Sequence, residues 1–229
     1  MTLRVDEPAG AVREIDRYDR GVGWIAHPHE LMQRASHALA VDGEVWVVDP
    51  VDGDAVDDLL AEFGTVAGVV VLLDRHERDA ARVAARHDVP VYLPEWFSGV
   101  AESLPAETPI VRFDDELADT GIEAHVVRNG RWWQEAALFD PADDTLVVTE
   151  AVGTSAYFRA GSERLGVHPM LRPFPPRRAL SGFDPERVLV GHGSGVLEDA
   201  SAALDGALSG ARRRAPRLYG SYIRGTLPF

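Results

Sequence analysis

The sequence predicts an α/β protein in which two mixed β-sheets pack together with helices on both sides. Three observations carry this. Residues 45–93 alternate short apolar runs with helical periodicity, residues 124–149 change to a hairpin rhythm, and the remainder ends in one short strand followed by a long helical stretch.

Taken in order, residues 45–48 (VWVV) read as a buried strand that stops at Asp49-Pro50, because proline cannot donate to a ladder. Asp54 is placed to cap a helix that carries Val56, Leu59, Leu60 and Phe63 at helical spacing and ends at Gly64. Residues 69–73 (VVVLL) form a second buried strand. A helix over 78–86 turns its alanines and Val83 inward, and residues 90–93 give a third strand; strand, helix, strand, helix, strand implies parallel pairing. Strand-like pieces at 124–127 and 136–139, then 145–149 (TLVVT) after a Pro-Ala-Asp-Asp turn, read as antiparallel hairpin material. The Pro-rich stretch 168–176 (HPMLRPFPP) is a loop. Residues 188–190 run as a short strand into Gly191-His192-Gly193, and 197–213 is a long helix with Ala202, Leu204 and Leu208 among its apolar residues.

At 229 residues, with no linker, repeat or low-complexity segment, a single domain spanning 1–229 is expected. The charged N-terminal stretch lacks an apolar signal core and no run reaches the ~20 residues of a membrane span, so a cytoplasmic protein is expected. There is no cysteine, so a metal would have to rest on His, Asp and Glu. The net charge is −14, and all 23 basic residues are arginine. Acidic, lysine-free surfaces resemble those of salt-loving archaea, where molar salt shortens the Debye length to ~3 Å; GC-rich codon usage is the competing explanation. Such a balance speaks against a nucleic-acid partner, and the basic cluster Arg212–Arg214 with Arg217 reads as a solvated helix end. The partner expected is a small molecule.

Six successive polar residues, Asp74-Arg75-His76-Glu77-Arg78-Asp79, follow the strand at 69–73, at the carboxyl end where open α/β sheets bind ligands. This stretch resembles a degraded copy of the His-x-His-x-Asp-His motif of the metallo-β-lactamase superfamily. Aligned on the strand end, Asp74 and His76 fall at the first two histidines, Arg78 at the aspartate and Asp79 at the third histidine. A one-residue slide would put Arg75, Glu77, Asp79 and Ala80 there instead. Three further landmarks come in the family's order. Residues 47–50 (VVDP) resemble the early strand ending in a supporting aspartate, Asp49; residues 145–150 (TLVVTE) resemble the strand ending in the bridging carboxylate, here Glu150; and Val190-Gly191-His192-Gly193 resembles the turn that supplies the last histidine. The histidine expected near residues 131–135 (RWWQE) is missing, and Glu135 is the available substitute.

The resemblance covers residue 46 to the C-terminus and implies a four-layer αβ/βα sandwich. It further implies a first metal held by Asp74, His76, Glu150 and Glu135, and a second held by Asp79, His192 and Glu150. Arg78 stands where the aspartate belongs, and its fixed charge opposes a second cation. One carboxylate-rich site for zinc, manganese or iron is therefore expected, with a hydrolase acting through metal-activated water on an ester, lactone or thioester-type bond. The open alternative is a metal-free cluster in which Arg78 pairs with Asp74, Asp79 or Glu150, giving a non-catalytic protein that recognises an anionic small molecule through Arg75 and Arg78.

The other histidines take bland readings. His27, His29 and His168 lie in loops, His37 and His125 on strands, and His87 at a helix end. Adjacent Trp132 and Trp133 face opposite sides of a strand, so one is core; Trp133 is a candidate pocket residue. Ser155 and Ser194 lack a nucleophile elbow, and the glycines at 191–195 lack a phosphate-loop lysine.

Overall fold

The computed structural model describes residues 3–5 and 9–226, with side chains described as far as residue 223. A seven-stranded sheet is ordered β1-β2-β3-β4-β5-β6-β7, from β1 (Arg13–Tyr18), β2 (Gly21–Ile25), β3 (Ala35–Val41), β4 (Glu44–Val48), β5 (Thr65–Val70), β6 (Val91–Pro94) and β7 (Ile110–Phe113). Strands β1 to β4 pair antiparallel, and β4 to β7 pair parallel. The second sheet runs β13-β10-β9-β8, from β8 (Glu123–Gly130), β9 (Trp133–Asp140), β10 (Thr145–Val148) and β13 (Arg187–Val190); β10 and β13 are parallel. A small ladder pairs β11 (Val152–Gly153) with β12 (Gly166–Val167).

Side-chain alternation sorts the core into layers, because successive strand residues point to opposite faces. Val45 and Val47 of β4 join the cluster under helices α1 (Val56–Ala61), α2 (Ala80–His87) and α3 (Gly99–Ser103). Trp46 and Val48 join the layer between the sheets, with Val70, Leu72, Leu138, Val147 and Leu189. On the far side, Leu146, Val148, Val188 and Val190 pack with Leu180 of the short helix α4 (Arg177–Leu180) and on the long helix α5 (Ala200–Thr226) through Leu204, Ala207, Leu208 and Ala211. The result is helices, sheet, sheet and helices, the four layers expected. Both faces of the central strands are covered, which is why they read as unbroken apolar runs.

Several local expectations are corrected. Asp54 does not cap α1: its backbone bridges Ala11, and Ala55 in the left-handed conformation precedes the helix. Arg78 is not helical, having φ of 41°, and α2 begins at Ala80. The strand at 69–73 begins at Thr65 and ends at Val70. Residues beyond it cross to the second sheet, where Leu72 O accepts the Ala136 N–H at 2.9 Å and Asp74 N donates to Gln134 O at 3.0 Å. Helix α5 begins three residues later than expected and continues to Thr226, with Ala202 on its exposed face. Trp133 is buried and Trp132 exposed, as their adjacency required. Among the described residues no helix is long and apolar enough to cross a membrane.

Candidate metal centre

Three ends of chain converge at one rim of the sandwich. The parallel register of β10 and β13 pairs Val148 with Val190, so the residues two further on, Glu150 and His192, emerge side by side. Gly191 makes this possible: a Cβ there would lie 2.2 Å from Thr149 O. His76 arrives from the first sheet through a tight turn in which the Arg75 and His76 N–H groups both bond to Leu73 O.

Glu150 Oε2 lies 2.7 Å from His192 Nε2 and 3.1 Å from His76 Nε2. These three donor atoms lie within 4.8 Å of one another, the geometry of a cation site. The opposite ring nitrogens define the tautomers. His76 Nδ1 is 2.9 Å from Asp49 Oδ2, and His192 Nδ1 is 3.0 Å from Met32 O. Both partners are oxygens that accept, so each Nδ1 carries a proton, which leaves Nε2 as the ring atom whose lone pair would serve a cation. This is the outer support that metal-ligating histidines use.

His168, a loop residue by its sequence, stands at the same carboxylate with the opposite polarity. Its Nδ1 accepts the Met170 N–H at 3.2 Å, so its Nε2 carries the proton and faces Glu150 Oε1 at 3.3 Å. Burial pushes His168 down to about 4, which keeps it neutral. Its Nε2–H faces Glu150, and it offers no lone pair to a cation. Its position depends on the bond from its N–H to Ala151 O, far away in sequence.

The charges at the centre are strongly coupled. Burial works against the ionised form of Glu150, but His192 and His76 outweigh it and hold the carboxylate well below its usual range. For Asp49, too, burial opposes ionisation, and His76, Arg78 and the Leu72 N–H reverse the balance. Burial and the Arg78 charge oppose protonation of His76, yet Asp49 and Glu150 raise it above the ordinary histidine value.

Other residues expected at the centre lie elsewhere. Asp74 accepts the N–H groups of Ser98, Gly99 and Val100 at the start of α3, at 2.8–3.2 Å. Asp79 accepts the Asp52 N–H at 2.9 Å and faces Arg82. The polar run after the strand thus sends Asp74 and Asp79 to neighbouring backbone N–H groups and His76 to Glu150. Glu135 is fully buried behind the centre, accepting from Glu150 N, Ala151 N and Trp133 Nε1. Burial pushes it up to about 7 despite those three donors.

Arg78 pairs with none of Asp74, Asp79 or Glu150. Its Nη1 donates at 2.7 Å to Ala35 O and to Asp49 O, and its Nη2 at 3.2 Å to Gly191 O. One guanidinium thereby ties the residue that holds His76 to the residue preceding His192. Arg75 lies at the rim, 4.6 Å over the Trp133 ring, with its Nη2 4.0 Å from Glu150 Oε1.

The centre opens into a cavity of about 470 Å³ lined also by Leu3, Met32 and Tyr157. A larger surface groove of about 570 Å³, lined by Asp16, Arg159, Arg164 and Glu198 among others, contains none of the three clustered residues.

No family model and no curated protein matches this sequence. Solved structures do match in shape. The DIM-1 metallo-β-lactamase exposed to ceftazidime superposes with a TM-score of 0.64 at 14% identity, covering 92% of this chain and 99% of that one. A metallo-β-lactamase from Pontibacter korlensis gives 0.65 at 14% identity, over 88% and 99% of the two chains. A fragment of the diflavin flavoprotein A 5 of Nostoc sp. PCC 7120, described as putative, gives 0.60 at 13% identity, over 95% and 100%. At these identities the likeness concerns the fold.

Proposed function

We propose that this chain, which carries the metallo-β-lactamase fold, is a hydrolase with one divalent metal held by His76, His192 and Glu150. The observation that carries the reading is the pair of Nδ1 anchors. Asp49 and Met32 O turn both Nε2 atoms toward one carboxylate, a donor set that suits zinc, manganese or iron(II). When bound, such a cation would polarise a carbonyl and acidify a water. The chain's own residues keep Glu150 ionised, hold the imidazoles in the ligating tautomer, and admit a small ester, lactone or thioester through the adjoining cavity.

Arg78 supports a count of one, because its fixed charge lies against the same strand ends. A metal-free, non-catalytic reading has one observation in its favour. Glu150 already meets three imidazoles, which satisfy it without a cation.

Elemental analysis after loading with zinc, manganese and iron(II) in turn decides between them. The expected result is one equivalent of metal, lost in His76→Ala and in His192→Ala, with a melting temperature that falls on chelation. No bound metal under any supplementation overturns the hydrolase reading.

A further inference from the structure

The charge around the cavity runs against the charge of the chain. The protein is −14 overall, yet Arg4, Arg34, Arg75 and Arg78 line this opening against Glu77 and Glu150. Arg34 and Arg78 are held by groups of the protein itself. Arg34 is held by Glu30 at 2.9 Å and by its bond to Val5 O, and Arg78 by its three carbonyls.

Arg75 differs. It is about half exposed, its bond to Trp132 O is long at 3.5 Å, and its approach to Glu150 is 4.0 Å. Trp133 beneath it is fixed by the 2.7 Å bond from Nε1 to Glu135, so the stacked guanidinium is held in place with its N–H fork next to the cavity. A planar fork of parallel donors matches the two oxygens of a carboxylate. Met32, Leu3 and Tyr157 supply apolar wall for the chain that would join such a group to the bond being cut.

We propose that Arg75 is a specificity-determining residue that holds a free carboxylate on the substrate, so that the molecule cleaved is an anionic acyl compound. The word substrate rests on the hydrolytic reading above; the carboxylate site does not.

The test compares hydrolysis of 4-nitrophenyl valerate with that of mono(4-nitrophenyl) glutarate, in which a carboxylate replaces the terminal methyl. Calorimetry of glutarate against its neutral diamide runs in parallel. The metal-loaded protein is expected to favour the anionic ester by about tenfold in kcat/KM, chiefly through KM, the scale of one charge-assisted hydrogen bond. Arg75→Ala should bring that ratio near one, and Arg75→Lys should retain part of it. A ratio unchanged in Arg75→Ala, or a preference for the neutral ester, overturns the proposal. If neither ester is cleaved, the hydrolytic reading falls and calorimetry decides: Arg75-dependent binding of glutarate upholds the site, and its absence overturns it.

Discussion

Asp49 Oδ2 accepts the Nδ1 proton of His76 at 2.9 Å, while Asp49 Oδ1 accepts the Leu72 N–H at 3.1 Å. One carboxylate therefore fixes the imidazole to the sheet that delivers it. Asp49 sits at φ 46°, a conformation that asparagine also tolerates. Asp49→Asn should fold and bind metal about ten- to a hundredfold more weakly, as outer-support losses do. A competition titration with a chromophoric chelator measures this. Unchanged affinity would remove His76 from the ligand set.

His168 and His192 should separate cleanly. Because His168 turns a protonated Nε2 toward Glu150, His168→Gln should keep one metal per chain, whereas His192→Ala should lose it. Metal analysis of the purified variants reads the difference. Loss of metal in His168→Gln would show that the tautomer assignment is wrong.

Arg172 is fully buried and bonds to Glu163 at 2.5 Å, to Phe158 O and to Val167 O. Arg172→Met should cost about 3–5 kcal/mol, because it leaves buried Glu163 with only Arg214 and the Ala160 N–H and deprives the Phe158 and Val167 carbonyls of a donor. Denaturant unfolding checks this, and a loss under 1 kcal/mol would contradict it.

Asp52 gives the pH dependence its sign. Burial raises it, but the hydrogen bonds and charge of Arg86, with the charge of Arg82, hold it below the usual carboxylate range. A folded value below the unfolded one means that the stabilisation is present above about pH 4 and is lost as pH falls through the folded value. Asp52→Asn should therefore lower the melting temperature at neutral pH and flatten its decline in acid. An acid limb identical to that of the parent would remove Asp52 as its source.

How much of this was legible follows from what periodicity records. Strands β4, β10 and β13 are covered on both faces, so they appear as apolar runs. Strands β1 and β2 left no such trace: one is largely exposed and charged, and the other is the glycine-broken GVGWI. At the centre, His76, Glu150 and His192 were readable because each lies a few residues beyond an apolar strand run. Spacing does not say which way a loop side chain turns, so Asp74 and Asp79 were expected as ligands although helix α3 and the Asp52 backbone claim them. His168 was invisible because its placement comes from pairing with Ala151, which no local pattern encodes.

The crossing of residues 71–74 from one sheet to the other has a mechanical consequence. His76 is tied through Asp49 to the end of β4 in the seven-stranded sheet, whereas Glu150 and His192 extend from strands of the four-stranded one. A cation shared among them would be a rivet between the two plates, closing a loop of more than seventy residues of chain. Metal loss should therefore loosen the whole sandwich and raise hydrogen exchange in both sheets together, rather than fraying only the rim.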